Sequence, residues 1–180
     1  MKLKSDRYRT GQKALTLKEY EKLIEVIDNV QDELLIKLAI TTGIRRADIC
    51  AIKINNINLE HETLTYYEKK KRRWRTIYLE PSIILLIKKH LKTIEKRENL
   101  FSFTGRTAYR HLNNFCRIAG IPERPFHALR ATCVKFCQRK GWAPEQVSEL
   151  TGDSIPVIQK HYTTPSDMEM RELIREKPIL

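Results

Sequence analysis

Residues 57–79 read INLEHETLTYYEKKKRRWRTIYL, and this is where the apolar period of the chain changes. Asn55, Asn56 and Asn58 favour turns, while Leu59, Leu64, Tyr66 and the run Thr76-Ile77-Tyr78-Leu79 favour strands. Between them lies Glu68-Lys69-Lys70-Lys71-Arg72-Arg73-Trp74-Arg75. The stretch predicts a small antiparallel sheet of about three strands with a basic hairpin at one end. Helical patterns surround it. Thr16 and Glu19 form a capping box ahead of Tyr20, Leu23, Ile24 and Ile27, predicting a helix to near Asn29. Leu34 to Ile40 reads as a buried helix stopped near Gly43, with a shorter one from Arg46 to Ile52. Downstream, Pro81 opens a helix through Ile84, Leu85, Ile87, Leu91 and Ile94, and another spans Thr107 to Ala119 before Gly120. Helices are expected from His127 to Lys140, Pro144 to Leu150, Ser154 to Tyr162 and 166 to 176. The fold class is mainly α with a small antiparallel β-sheet.

The chain has 180 residues, the size of one ordinary domain, and needs no disulfides to hold a core. Cys50, Cys116, Cys133 and Cys137 form no CxxC and no common zinc spacing, so they read as reduced thiols and no metal is expected. No run of about twenty apolar residues occurs, and no signal peptide follows Lys2-Leu3-Lys4. A formal charge of +12 makes a polyanionic partner the leading expectation. Residues 1–15 form a basic tail or linker with Lys2, Lys4, Arg7, Arg9 and Lys13 against Asp6. Nucleotide-binding glycine patterns, the Walker motif and HExxH are all missing, so no cofactor is expected. What remains is a set of cations around one tyrosine. Arg45 follows Thr42-Gly43-Ile44; His127 and Arg130, three apart, share a helix face; Tyr162 ends a helical segment after Gly152-Asp153.

Thr42-Gly43-Ile44-Arg45-Arg46-Ala47-Asp48-Ile49, the basic hairpin ending at Leu79, His127-Ala128-Leu129-Arg130, and Leu150-Thr151-Gly152-Asp153-Ser154 with Tyr162 stand in an order that resembles the catalytic domain of tyrosine recombinases, the phage-type integrases and Xer-like resolvases. The resemblance covers Thr16 to Tyr162 and implies that family's catalytic-domain fold over residues 16–165. It implies an enzyme that cuts and rejoins double-stranded DNA without a metal, through a 3′-phosphotyrosyl link and a freed 5′-hydroxyl. On this resemblance the catalytic residues are Arg45, His127, Arg130, the nucleophile Tyr162 and a hairpin lysine. That lysine is Lys69, or Lys70 if the hairpin is tighter. Lys70, Lys71, Arg72, Arg73 and Arg75 are then DNA-binding.

The family usually places a histidine nine residues before the tyrosine; here that position is Asp153. A carboxylate cannot donate a hydrogen bond unless protonated, so Asp153 reads as a cap or as an orienter of arginines. His161 reads as structural or as an imperfect substitute. The chemistry supports the other roles independently. Arginine offers a rigid fork for a phosphate, a tyrosine hydroxyl needs activation, and a lysine crowded by cations can protonate a leaving oxygen. Asp153 favours one alternative, a DNA-binding module with a degenerate site; a topoisomerase IB-like relaxing enzyme, which shares the tyrosine chemistry, is another.

Family members usually carry a further N-terminal helical domain, so the chain reads as an isolated catalytic domain or a minimal recombinase. Residues 166–180 mix Asp167, Glu169, Glu172 and Glu176 with Arg171, Arg175 and Lys177, which suits a protein contact. The resemblance implies a tetramer on DNA, working in the cytoplasm at the nucleoid or in a host cell's cytoplasm; the short, charged surface of residues 166–180 predicts a mostly monomeric free protein.

Overall fold

The computed structural model describes residues 10–163, 165 and 167–179. Helices α1 (Leu17–Glu25), α2 (Val30–Thr42) and α3 (Arg46–Ile49) precede a sheet of β1 (Ile57–Asn58), β2 (Thr63–Glu68) and β3 (Arg73–Tyr78). Helices α4 (Pro81–Thr93), α5 (Gly105–Ile118), α6 (His127–Arg139), α7 (Pro144–Thr151), α8 (Ile155–Ile158) and α9 (Asp167–Glu176) follow. The mainly helical class with a three-stranded antiparallel sheet, in order β1-β2-β3, is as expected.

α2 is the centre of the larger core. Leu34, Leu35, Ile36, Leu38, Ala39 and Ile40 are all buried, so apolar residues surround its axis rather than forming one stripe. It packs on α4, α5 and α6. α6 in turn divides two apolar clusters. Leu129 faces the larger one, while Ala131, Cys133, Val134 and Cys137 join Val147, Ile158 and Tyr162 in the smaller. The cysteines are unpaired thiols, three of them buried.

Local chemistry sets the boundaries. Thr16 and Glu19 make the expected capping box at α1. α1 ends at Glu25, short of Asn29, because the Asn29 side chain instead accepts from the Asp32 N–H and caps α2. Gly43 ends α2 at φ +65°, where a side chain's Cβ would lie 3.1 Å from the Thr151 methyl. α3 stops at Ile49, shorter than expected, with Cys50 as its C-cap. The expected helix from Ser154 to Tyr162 is α8 followed by a wider π-helical turn over Gln159–Thr163.

The hairpin register pairs Leu64 with Ile77, Tyr66 with Arg75 and Glu68 with Arg73 on the inward face. That face therefore runs from apolar at its base to charged at its tip. On the outer face Thr65 and Thr76 share a hydrogen bond of 2.8 Å, and Trp74 packs edge-on against Tyr67.

Of the expected tail or linker over 1–15, residues 1–9 lie outside the described residues. Thr10–Lys13 forms a 3-10 turn packed on α6 and on the π-helical turn. Leu15 is buried, and its N–H donates to Thr132 Oγ1 at 2.8 Å. Thr10–Lys13 and Leu15 thus pack against the helical part of the fold. A Cβ on Gly11 would stand 2.9 Å from the Tyr162 carbonyl oxygen, so Gly11→Ala must push the turn that holds Tyr162. We expect that substitution to lower stability by about 1–3 kcal/mol. Thermal unfolding checks it against Lys13→Ala, which alters an exposed side chain and should leave the midpoint unchanged.

Candidate active site

Arg45 is the N-cap residue of α3, placed there by the left-handed turn at Gly43. Arg130 sits one turn into α6, three residues after His127, and is only 2% exposed. Asp153 follows Gly152, whose φ of +74° turns the chain away from α7. That φ favours glycine, and a Cβ there would also come within 2.6 Å of Arg75 Nη1, which would have to move. These local features bring three distant stretches to one point.

Asp153 joins them. Its Oδ1 accepts from Arg45 Nη2 at 2.9 Å, and its Oδ2 accepts from Arg130 Nε at 3.1 Å and forms an ion pair with Arg130 Nη2 at 2.7 Å. Arg130 also donates to the Gly43 carbonyl, and to the Thr151 carbonyl at 2.8 Å. A buried charge persists only when paired and hydrogen-bonded, and Arg130 meets both conditions. Asp153 therefore faces two guanidiniums rather than capping a helix.

Tyr162 is 3% exposed, and its hydroxyl lies 3.1 Å from His127 Nε2. Burial and the Asp153 carboxylate raise the pKa of Tyr162, against the opposing charges of Arg130 and Arg45. The tyrosine is therefore protonated at rest. Partial desolvation and the charges of Arg130, Arg45 and Lys70 lower the pKa of His127, with Asp153 opposing. A neutral imidazole can accept the Tyr162 proton. The His161 ring stands beside that of Tyr162, centroids 6.3 Å apart, while the position facing both arginines is taken by Asp153.

The basic hairpin divides. Lys71 Nζ donates to the Gly152 carbonyl, and Arg75 Nη2 to the carbonyls of Glu149 and Leu150. Arg75 Nη1 also donates to Tyr66 Oη at 2.8 Å, and Arg73 Nε to Glu68 at 3.0 Å. These three residues tie the hairpin to the carbonyl end of α7 and to the site. Of the two candidate lysines, Lys69 donates its backbone N–H to Asp48 Oδ1 at 3.3 Å, and Lys70 is one of the cations that lower the His127 pKa.

Sequence reasoning missed Glu68. It is fully buried and accepts from both Arg45 and Arg73. The signal was available: period-2 counting along β2 puts Glu68 on the same face as Leu64 and Tyr66. Asp48 is also buried; its Oδ2 lacks a partner, and burial raises its pKa over the effects of the Lys69 N–H and Arg45. Among the described residues no cluster of three or more His, Cys, Asp or Glu could hold a metal, and no helix is long and apolar enough to cross a membrane.

Residues 13–169 match the sequence profile of the phage integrase family. The tyrosine recombinase XerA of Pyrococcus furiosus is 29% identical over 96% of this chain and 64% of its own length. The crystal structure of a XerA recombinase superposes with a TM-score of 0.79 at 20% identity, over 93% of this chain and 66% of the other. A XerH site-specific recombinase bound to difH substrate in a pre-cleavage complex gives 0.70 at 23% identity, over 88% and 52%. The two structural likenesses establish the fold, and the chain spans 64% of the length of its Pyrococcus relative.

Burial raises the pKa of Glu68, but the hydrogen bonds from Arg45 and Arg73 outweigh it and hold the carboxyl below the usual glutamate range. A depressed carboxyl stabilises the fold above its unfolded pKa, and that contribution is lost as pH falls through the folded value. Glu68→Gln should cost about 1–3 kcal/mol at neutral pH. In urea unfolding, the gap between parent and variant should be widest above about pH 4.5 and narrow below it.

Proposed function

Because the chain belongs to the phage integrase family, we propose that it is the catalytic part of a site-specific DNA recombinase. The observation behind this reading is the convergence of Arg45, Arg130, His127 and Tyr162 from separate stretches of chain on one small volume. Arg45 and Arg130 hold the non-bridging oxygens of a backbone phosphate and stabilise the charge that builds there. Tyr162 Oη passes its proton to neutral His127 and attacks phosphorus. The bond between phosphorus and the 5′-oxygen breaks, leaving a 3′-phosphotyrosyl link and a 5′-hydroxyl. A hairpin lysine protonates the leaving oxygen. Lys69 and Lys70 are the candidates for this role. Attack by a 5′-hydroxyl from another strand reverses the steps and rejoins DNA.

Double-stranded DNA is the substrate and partner, which puts the protein with DNA in the cytoplasm. Recombination between two sites calls for four protomers on DNA. The free protein is mostly monomeric, in keeping with the ion pairs Lys135–Glu169 at 3.1 Å and Arg139–Glu172 at 3.2 Å, which join α9 to its own α6. A second reading, a DNA-binding protein with a decayed site, draws on Asp153 filling the forks of both arginines.

Tyr162→Phe removes only a hydroxyl. On a suicide duplex of the true site it should abolish covalent product in a denaturing gel, while DNA affinity stays within about twofold of the parent. Persistence of the adduct would reject Tyr162 as nucleophile. A parent without adduct, beside an Asp153→His form that makes it, would select the decayed-site reading. For the hairpin, Lys70→Ala with Arg72→Ala should weaken binding to every sequence alike. Each lost phosphate contact should reduce the slope of log K against log salt by about 0.9. An unchanged slope would exclude both residues as phosphate contacts.

A further inference from the structure

Asp153 makes the contacts that a bound phosphate would make. One carboxylate oxygen takes Arg45 Nη2 at 2.9 Å, and the other takes Arg130 Nη2 at 2.7 Å and Nε at 3.1 Å. Two oxygens on one centre bridging two guanidiniums is also the pattern of two non-bridging phosphate oxygens. Neither arginine depends on Asp153 for its orientation. Arg130 keeps the carbonyls of Gly43 and Thr151, and Arg45 keeps Glu68. Carbonyls, however, do not neutralise a guanidinium that is 2% exposed. What Asp153 adds is negative charge.

We infer that Asp153 is a resident counterion of the anion site, displaced when a phosphate arrives, so that the resting protein is inhibited by its own carboxylate. The inference rests on Arg45 and Arg130 being the phosphate ligands proposed above. The local backbone allows the exchange. Asp153 lies between α7 and α8 rather than within either. Its carbonyl accepts from Ser148 Oγ at 2.7 Å and its N–H donates to Thr151 Oγ1 at 3.4 Å. The main chain is held while the side chain is left to rotate, and no helix or strand need open.

The test is thermal unfolding of the parent and Asp153→Asn at about pH 8, where carboxylates are ionised and histidine is neutral. Each is melted in sodium chloride and in sodium phosphate at equal ionic strength. In chloride the variant should melt about 5–10 °C below the parent, because a buried guanidinium has lost its counterion. Phosphate should restore most of that loss, while the parent should barely respond. Adding Arg45→Ala to the variant should remove the phosphate response. A variant as stable as the parent in chloride, or an equal response of the two proteins to phosphate, would overturn the inference. Asp153→His, melted in the same way, guards against a packing fault peculiar to asparagine. If neither variant folds even in phosphate, the anion cannot replace the carboxylate and the inference fails. Neither DNA nor the Tyr162 hydroxyl enters the measurement. A parent that makes no covalent adduct would count against the recombinase reading and leave the counterion result standing.

Discussion

A guanidinium held almost out of water is the constraint around which the molecule is organised. Arg130 has five N–H donors and one positive charge, and a low-dielectric interior tolerates neither unpaired. The fold supplies the Gly43 carbonyl from the end of α2, the Thr151 carbonyl from the end of α7, and the Asp153 carboxylate from the link beyond. Two helix ends are thereby fixed on a third helix. Both approaches require a left-handed residue, which is why Gly43 and Gly152 stand where they do. α6 can carry this charge through the interior because its other residues fill the apolar clusters on either side.

The surrounding electrostatics balance cations against carboxylates rather than simply accumulating positive charge. Glu68 and Asp153 hold Arg45 between them, and Arg73 completes the set on the hairpin side. A site of this kind is preorganised for an anion, since its donors are aimed before any ligand arrives. Its cost is that the nucleophile is kept protonated by burial and by the nearby carboxylate. The hairpin extends the same logic outward. Lys71 and Arg75 fix the hairpin against the end of α7 and Arg73 binds Glu68, so the basic run contains anchors as well as candidate DNA contacts.

Much of this was legible in the chain itself. The capping box at Thr16, the stop at Gly43, the strand periods around the basic run and the proline starts of α4 and α7 all act within a few residues, and local chemistry fixes them. The order of Arg45, His127, Arg130 and Tyr162 identified the family before any contact was known. The extent of α1 was misjudged because two signals competed there: the apolar period continued to Ile27, but Asn29 was the stronger cap for the next helix.

What the sequence by itself determined was therefore the main elements, the fold class and the groups that meet at the site apart from Glu68. Each of these rests on interactions between near neighbours or on residue type. The tertiary structure alone decided who is bonded to whom. Glu68 and Arg45 are 23 residues apart, Arg45 and Asp153 108, and Leu15 and Thr132 117. No periodicity encodes such pairs, because a buried charge selects its partner by proximity after packing rather than by spacing along the chain. For the same reason the sequence showed Asp153 as a missing histidine, and only the folded chain made it the ion that two arginines share.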